Sequence, residues 1–365
     1  MDNLTHTFIG WTLARAGLDR FGPWATPVLL VAANLPDAEI PLLFGDKATY
    51  LNYHRGISHS FVGFAAEALL VSVVVCAAAW FVRRKLPPEY TPATPPPKFL
   101  AVMFVALIGL LSHLLLDFFN TYGVRPLLPF DSRWFYGDML FLFDPWSWLI
   151  LGAGLFIGSK EHLRLVWVAL ALAALATVVF GFHRNHLSAQ ILAVWCVLFA
   201  LLLPLKFVSP RWFTARRAAC GSLALWSLYL ALAFFASGSA TARATEFYLL
   251  NSTPPQRILA SSASAAPAAP WRHTVALQTE NDLFIYNTDE FTGSVELRKH
   301  LSRNLACAAN PVVQNTREYQ TWLAFARHPC CSCGQDTITL FDGRYGALAK
   351  NPSDDWTAFE VPQPK

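Results

Sequence analysis

FLAVMFVALIGLLSHLLLDFF, residues 99–119, decides the fold class. It has the length of about 20 apolar residues that a helix needs to cross a bilayer core, where every backbone N–H and C=O must find its partner within the segment. Only Ser112, His113 and Asp117 interrupt it. Stretches of similar length and character run over Phe61–Val82, Met139–Ile157, Leu163–Phe182, Ala189–Val208 and Ala218–Ser237. Leu4–Phe44 reads as a hairpin of two shorter helices, broken at Gly22-Pro23 and ended by Asn34-Leu35-Pro36-Asp37. The expected architecture is an all-α polytopic membrane bundle of about six to eight helices, occupying residues 1–239.

The whole chain is 54% hydrophobic and only 14% charged, against about 25% charged in a soluble domain. The charges are scarce up to about Ala240 and ordinary beyond it, so two parts of the chain meet two solvents. The net charge of +4 is spread in short clusters, which excludes the one-sided basic face of a nucleic-acid-binding protein. Asp2, His6, Arg15 and Arg20 break the opening apolar run, so it does not read as a signal peptide. Arg83-Arg84-Lys85, Lys160 with Arg164, and Lys206 to Arg217 mark alternate loops as cytoplasmic. That parity expects a multi-pass inner-membrane protein with its C-terminal part outside the cytoplasm. Pro87–Lys98 is a Pro-rich cytoplasmic loop, and residues 240–270, with the Ala/Ser/Pro run Ser261–Pro270, read as a linker.

Residues 271–365 read as a small strand-rich extramembrane domain, α+β or all β. Its expected strands are Thr274–Leu277, Leu283–Asn287, Ser294–Leu297, Thr321–Arg327 and Thr337–Phe341. Cys307, Cys330, Cys331 and Cys333 suggest two disulfides there; a four-thiolate zinc site is the rival, disfavoured because Cys330 and Cys331 are adjacent.

Ionisable groups in or beside apolar runs are costly and point to function. His6, Asp37, Glu39, His54, His59, His113 and Asp117 are such groups. His113 and Asp117 are four apart, so they share a helix face and can reach one metal ion; an interhelical hydrogen-bonded pair is the alternative. The stretches holding His6, Asp37, His54 with His59, and Asp117 all come to one membrane face in the expected topology. His and Asp without Cys suit zinc, manganese or iron. Six ligands exceed one tetrahedral site, so two ions bridged by Asp117 or Asp37 are a further expectation. Asp144, before Pro145, is either another ligand or a helix cap. Arg55 either orients an anionic substrate or pins a loop to Asp37 or Glu39. His183 and His186 read as solvated loop residues.

Thr5-His6, Leu35-Pro36-Asp37, His54-Arg55-Gly56-Ile57-Ser58-His59-Ser60 and Ser112-His113-Leu114-Leu115-Leu116-Asp117 resemble the membrane-bound metal-dependent hydrolases, a bacterial inner-membrane family with some members under the LexA regulon. The resemblance covers roughly the first 150 residues and implies metal ligands at His6, Asp37, His54, His59, His113 and Asp117. Asp144-Pro145 also fits it, while Glu39 stands where that family commonly has a shorter carboxylate. A weaker likeness in ligand order is to zinc-dependent phospholipase C and related fungal nucleases, which implies phosphoester cleavage. The expected function is a metal-dependent hydrolase, with Arg55 and Asp117 catalytic, acting on a lipid or lipid-linked ester at the outer face. A transporter, or a sensor built on the same His/Asp cluster, is the competing expectation.

Overall fold

The computed structural model describes residues 1–43, 45–85, 87, 95–159, 175–176, 179, 189–208 and 214–363. Its helices are α1 Asn3–Ala16, α2 Ala25–Ala32, α3 Lys47–Tyr53, α4 Phe61–Lys85, α5 Phe99–Phe118, α6 Pro145–Ile157, α7 Ala189–Val208, α8 Ala215–Asn251 and α9 Arg317–Phe325, with 3-10 segments at Pro36–Leu43 and Ile57–His59 between the early helices. Asp2 opens α1 by accepting from the Thr5 backbone N–H at 3.0 Å, which satisfies one of the free donors of the first turn.

Three helices, α4, α5 and α8, are long and apolar enough to cross a membrane. The expected six to eight spans are not supported among the described residues. The helices α1 and α2, at 14 and 8 residues, are too short. In Met139–Ile157, Asp144 caps and Pro145 opens a helix of only 13 residues, leaving Met139–Phe143 as loop. Proline favours that first helical position because its missing N–H would be unpaired there anyway. Most of the expected helix Leu163–Phe182, the loop with His183 and His186, and most of Pro87–Lys98 lie outside the described residues.

Small residues set how closely the helices approach. A Cβ added at Gly109 of α5 would meet Ala32 Cβ at 2.7 Å, so α2 and α5 cross nearly backbone to backbone, a packing that small residues permit in membrane helices. That crossing carries the end of α2 to the His113 turn of α5. At Gly63 an added Cβ would collide with the Ile57 carbonyl, so glycine lets the first turn of α4 lie on the short helix that carries His59.

The C-terminal part is antiparallel. The strands β1 Ala260–Ala266, β2 Ala269–Gln278, β3 Asp282–Asp289 and β4 Ser294–Ser302 form a meander, and β5 Pro329–Cys333, β6 Thr337–Asp342 and β7 Phe359–Pro362 form a second sheet. Ser261–Pro270, expected as linker, is instead β1, a tight turn and the start of β2. Its small side chains are the reason: Ala263 lies under Ala240, Ala244 and Tyr248 of α8, in one core with Val275, Leu277 and Tyr286. Thr321–Arg327, expected as a strand, falls mainly in α9, whose N-cap Thr316 accepts from the Tyr319 N–H. Of the two expected disulfides, Cys307–Cys333 forms, while Cys330 and Cys331 are free and buried. Successive strand residues face opposite sides, so Cys330 joins one core cluster and Cys331 another.

Both parts are stitched together. Asn52 donates to Thr321 Oγ1 at 2.7 Å, Trp134 to the Ala324 carbonyl at 2.9 Å, and Trp146 to the Ala268 carbonyl at 2.8 Å. Arg327 pairs with Asp138 at 2.8 Å.

Candidate metal centre

His113 projects from the penultimate turn of α5, and Asp117 follows one turn on. His113 Nδ1 lies 2.8 Å from the Ala33 carbonyl. A carbonyl only accepts, so Nδ1 carries the proton and Nε2 presents a lone pair. Ser58 Oγ lies 3.0 Å from His59 Nδ1, and Glu39 Oε1 lies 3.6 Å from it. With that nitrogen donating, His59 Nε2 is also an acceptor. The two Nε2 atoms face each other at 3.1 Å. Two lone pairs directed at one another repel unless a cation or a proton lies between them.

Two carboxylates close the figure. Asp37 Oδ1 is 3.5 Å from His59 Nε2 and 3.8 Å from His113 Nε2. Asp117 Oδ2 is 3.4 Å from His59 Nε2 and 3.5 Å from His113 Nε2. Ligand atoms about 2.0–2.1 Å from a tetrahedral ion stand about 3.3 Å apart, and these distances bracket that edge. Asp37, His59, His113 and Asp117 thus form a group that could hold a metal ion, their ligand atoms all within 4.8 Å of one another. All four are buried or nearly so.

Electrostatics point the same way. Burial pushes the Asp37 carboxyl up, but the hydrogen bond to His59 and the neighbouring His113 imidazole overcome it and hold the pKa at about 2. Burial lowers the His59 pKa, yet Asp117 and Asp37 raise it above its ordinary value. Glu39 is held low against burial by His54 and His59. Asp37 and Glu39 are ionised beside the two imidazoles.

Arg55 serves Asp117. Its Nη2 donates to Asp117 Oδ1 at 2.9 Å, and its Nη1 reaches the Asp117 carbonyl, Asn120 Oδ1 and the Gly123 carbonyl at 3.0–3.1 Å. Arg55 adopts φ +53, uncommon for a side chain of its bulk. The Met1 amino group donates to the same Asp117 Oδ1. Asp117 Oδ2, on the side of the two imidazoles, is buried with no hydrogen-bond partner.

His6 stacks on His113 at 3.9 Å between ring centroids, and its Nε2 is 3.4 Å from Asp117 Oδ1. Neither His6 nitrogen has hydrogen-bond geometry to a partner. His54 lies 3.3 Å from Glu39 Oε1, between Tyr50 and Tyr122. Both border the four-residue group. Asp144 does not: it caps α6 by accepting from Ser147 N–H at 3.0 Å and Ser147 Oγ at 2.6 Å, and takes a third bond from Tyr229 at 3.0 Å. Sequence reading missed the Ala33 carbonyl, which carries no side-chain signal, and Ser58, an unremarkable hydroxyl inside the His-Arg-Gly-Ile-Ser-His run.

Residues 1–187, which contain every one of these groups, match the model of a family described as YdjM inner membrane protein. The chain belongs to that family. This YdjM-family chain is 25% identical over 159 residues to "Uncharacterized protein YfhP" of Bacillus subtilis (strain 168), a match spanning 41% of this chain and 43% of that protein. It therefore covers less than half the length of the curated relative it matches. No solved structure matches the chain. Family and apolar helices together make it a membrane protein.

Proposed function

We propose that this protein is a membrane-bound metal-dependent hydrolase that cleaves a phosphoester or ester of a lipid or lipid-linked substrate at the outer membrane face. The observation that carries the reading is the convergence of two imidazole lone pairs and two carboxylate oxygens on one buried point, each imidazole nitrogen 3.1–3.8 Å from the other three atoms. Asp37, His59, His113 and Asp117 would hold a divalent ion, zinc by preference and manganese or iron by the same donor chemistry; His6, both of whose nitrogens are unpartnered, is the further group on which a second ion would draw. A bound divalent ion polarises a phosphoryl or carbonyl oxygen and acidifies water. The chain itself supplies the rest. Arg55 orients Asp117 through its carboxylate and its carbonyl, and Ala33 and Ser58 fix the imidazole tautomers. Glu39, 3.3 Å from His54 Nδ1 and 3.6 Å from His59 Nδ1, holds those two imidazoles in place.

Lipid as substrate class rests on the rim. Ile57, Phe61, Val62, Leu127 and Phe130 expose apolar side chains around the turn that carries His59, and the Phe61 N–H donates to the Pro126 carbonyl at 3.0 Å, joining the two rim segments. Exposed apolar surface at the end of a spanning helix is suited to the bilayer. A transport pathway would carry ionisable groups along the span, whereas His113 and Asp117 occupy only the last turns of α5.

The test is metal analysis of detergent-purified protein joined to a hydrolysis screen of lipid phosphoesters and esters. Bound divalent metal and chelator-sensitive hydrolysis are expected. Metal-free protein that stays inert when metal is supplied would overturn the proposal.

A further inference from the structure

The mechanism needs a group to take the charge of an anionic substrate, and Arg55 is committed to Asp117, Asn120 and Gly123. Arg125 is not so committed. It is 9% exposed and pairs with no carboxylate among the described residues. Its Nη2 donates to the Asn52 carbonyl at 2.7 Å and lies 3.5 Å from the His54 carbonyl. Its Nε is buried with no hydrogen-bond partner. Leaving a buried charged donor unpaired costs more than an ordinary missing hydrogen bond, so the position calls for an acceptor. One face of the guanidinium is covered by Trp134, with Cζ 4.4 Å from the ring centroid, so the unanswered donor is the Nε–H on its edge. A guanidinium edge matches the spacing of phosphoryl oxygens.

Tyr122 supplies the second donor. Its hydroxyl is buried and unpartnered. Its ring contacts Trp134 at 5.8 Å and His54 at 5.3 Å, and Arg55 Cζ lies 4.7 Å from its centroid. Tyr122 thus stands between the metal centre and the Trp134 ring that Arg125 covers. Asn120, which positions the Tyr122 backbone by accepting from its N–H at 2.9 Å, also has a free amide nitrogen.

We propose that Arg125 and Tyr122 form an oxyanion subsite beside the metal centre, which binds a tetrahedral phosphoryl group and selects phosphoesters over neutral esters. The choice of substrate rests on the hydrolase reading above; the anion site itself stands on the unpaired donors. The competing account is structural: Arg125 merely ties down the carbonyls that end α3.

The experiment is calorimetric titration of inorganic phosphate into the full-length protein in detergent, with metal content measured on each sample. Arg125→Gln is expected to weaken phosphate binding at least about 10-fold, which is about 1.4 kcal/mol, with metal content unchanged. Arg125→Lys should fall between the two, since it keeps the charge and loses the fork. Tyr122→Phe keeps the ring packing and removes only the hydroxyl, so it tests the site even if Arg125→Gln fails to fold; a several-fold loss is expected. Wild-type protein that binds no phosphate, or variants that bind it as wild type does, would overturn the subsite and leave the helix-end role. Phosphate binding lost in Arg125→Gln, in protein that holds no divalent metal even when metal is supplied, would keep the subsite while removing the metal reading. Competition by nanodiscs containing phosphatidic acid then separates sources: displacement assigns a lipid headgroup, and its absence assigns a soluble phosphate compound to the same site.

Discussion

His59, His113, Asp37 and Asp117 at the end of α5, and His328, Asp342, Arg303 and Arg344 in the C-terminal domain, are buried clusters of similar residue types in opposite states. In the second every group is answered. Arg344 pairs with Asp342 at 2.6 Å with both side chains fully buried, and Asp342 also accepts from the Arg327 and Arg344 backbone N–H groups at 2.9 Å. With the Gln278 amide turned to donate to His328 Nδ1 and accept from Arg303 at 3.2 Å, His328 Nε2–H donates to Ser262 Oγ at 2.9 Å. That orientation makes His328 a donor to the serine rather than a base for it, so the Ser262–His328 pair is a strut and not a nucleophile. In the first cluster, Asp117 Oδ2 and both His6 nitrogens lack partners, and two imidazole nitrogens confront each other. Buried polar groups are normally satisfied. Where the same residue types are left unanswered, the arrangement is the one that the proposed divalent ion would complete.

This contrast predicts opposite responses to mutation. Asp342→Ala should have the largest effect on stability, about 3–5 kcal/mol, because it strands the buried Arg344 guanidinium. Chemical denaturation followed by tryptophan fluorescence measures it, and metal content per folded protein should stay at the wild-type value. A small loss would erase the distinction between the clusters.

His113→Ala should act in reverse. Metal affinity should drop by more than about 100-fold, beyond what losing a supporting partner costs, while stability of the metal-free protein holds or rises as facing lone pairs and neighbouring carboxylates are relieved. Asp144→Ala is the control, removing a helix cap without touching bound metal. Wild-type metal content in His113→Ala would leave an interhelical hydrogen bond as the better account of the His113–Asp117 pair.

Acid should sharpen the comparison with the smallest effect. Burial, with Arg344, Arg327 and Arg303 nearby, depresses the His328 pKa to about 3 even though Asp342 pulls it up. Unfolded histidine titrates near about 6.5, so between these values the unfolded chain binds the extra proton. The contribution of His328 is complete above that upper value and is lost progressively as pH falls toward the lower one. Thermal unfolding of the C-terminal domain across this range should show the decline, and His328→Gln should flatten it. Equal slopes in the two proteins would remove His328 as the source.

Much of the site was legible because ligand-type side chains are conspicuous in apolar runs. The three spans were visible in the same way. What escaped reading depended on partners distant in sequence. Ser261–Pro270 looks like a linker until Ala240 and Ala244 of α8 are laid on it, when small side chains become the requirement for contact. Thr321–Arg327 has β-prone residues, but Thr316 caps a helix just upstream and Trp322 is drawn into the core, its indole N–H on the Phe341 carbonyl at 2.9 Å. Asp144 carries the same chemistry as Asp37, and only Ser147 and Tyr229 reveal it as a cap. Arg125 offered a faint clue, a cation in the apolar run Val124–Phe130 with no acid before Asp131.

The helix α8 runs unbroken for 37 residues, about 55 Å at 1.5 Å per residue, nearly twice what the bilayer core requires. Its far half is the beam on which β1 and β2 are laid. Load applied to the C-terminal sheet therefore passes along one continuous helix into the membrane. Proline is absent from this beam, and Ser237-Gly238-Ser239 is its one compliant place: an added Cβ at Gly238 meets nothing within 4 Å, and glycine–serine pairs are where long helices bend.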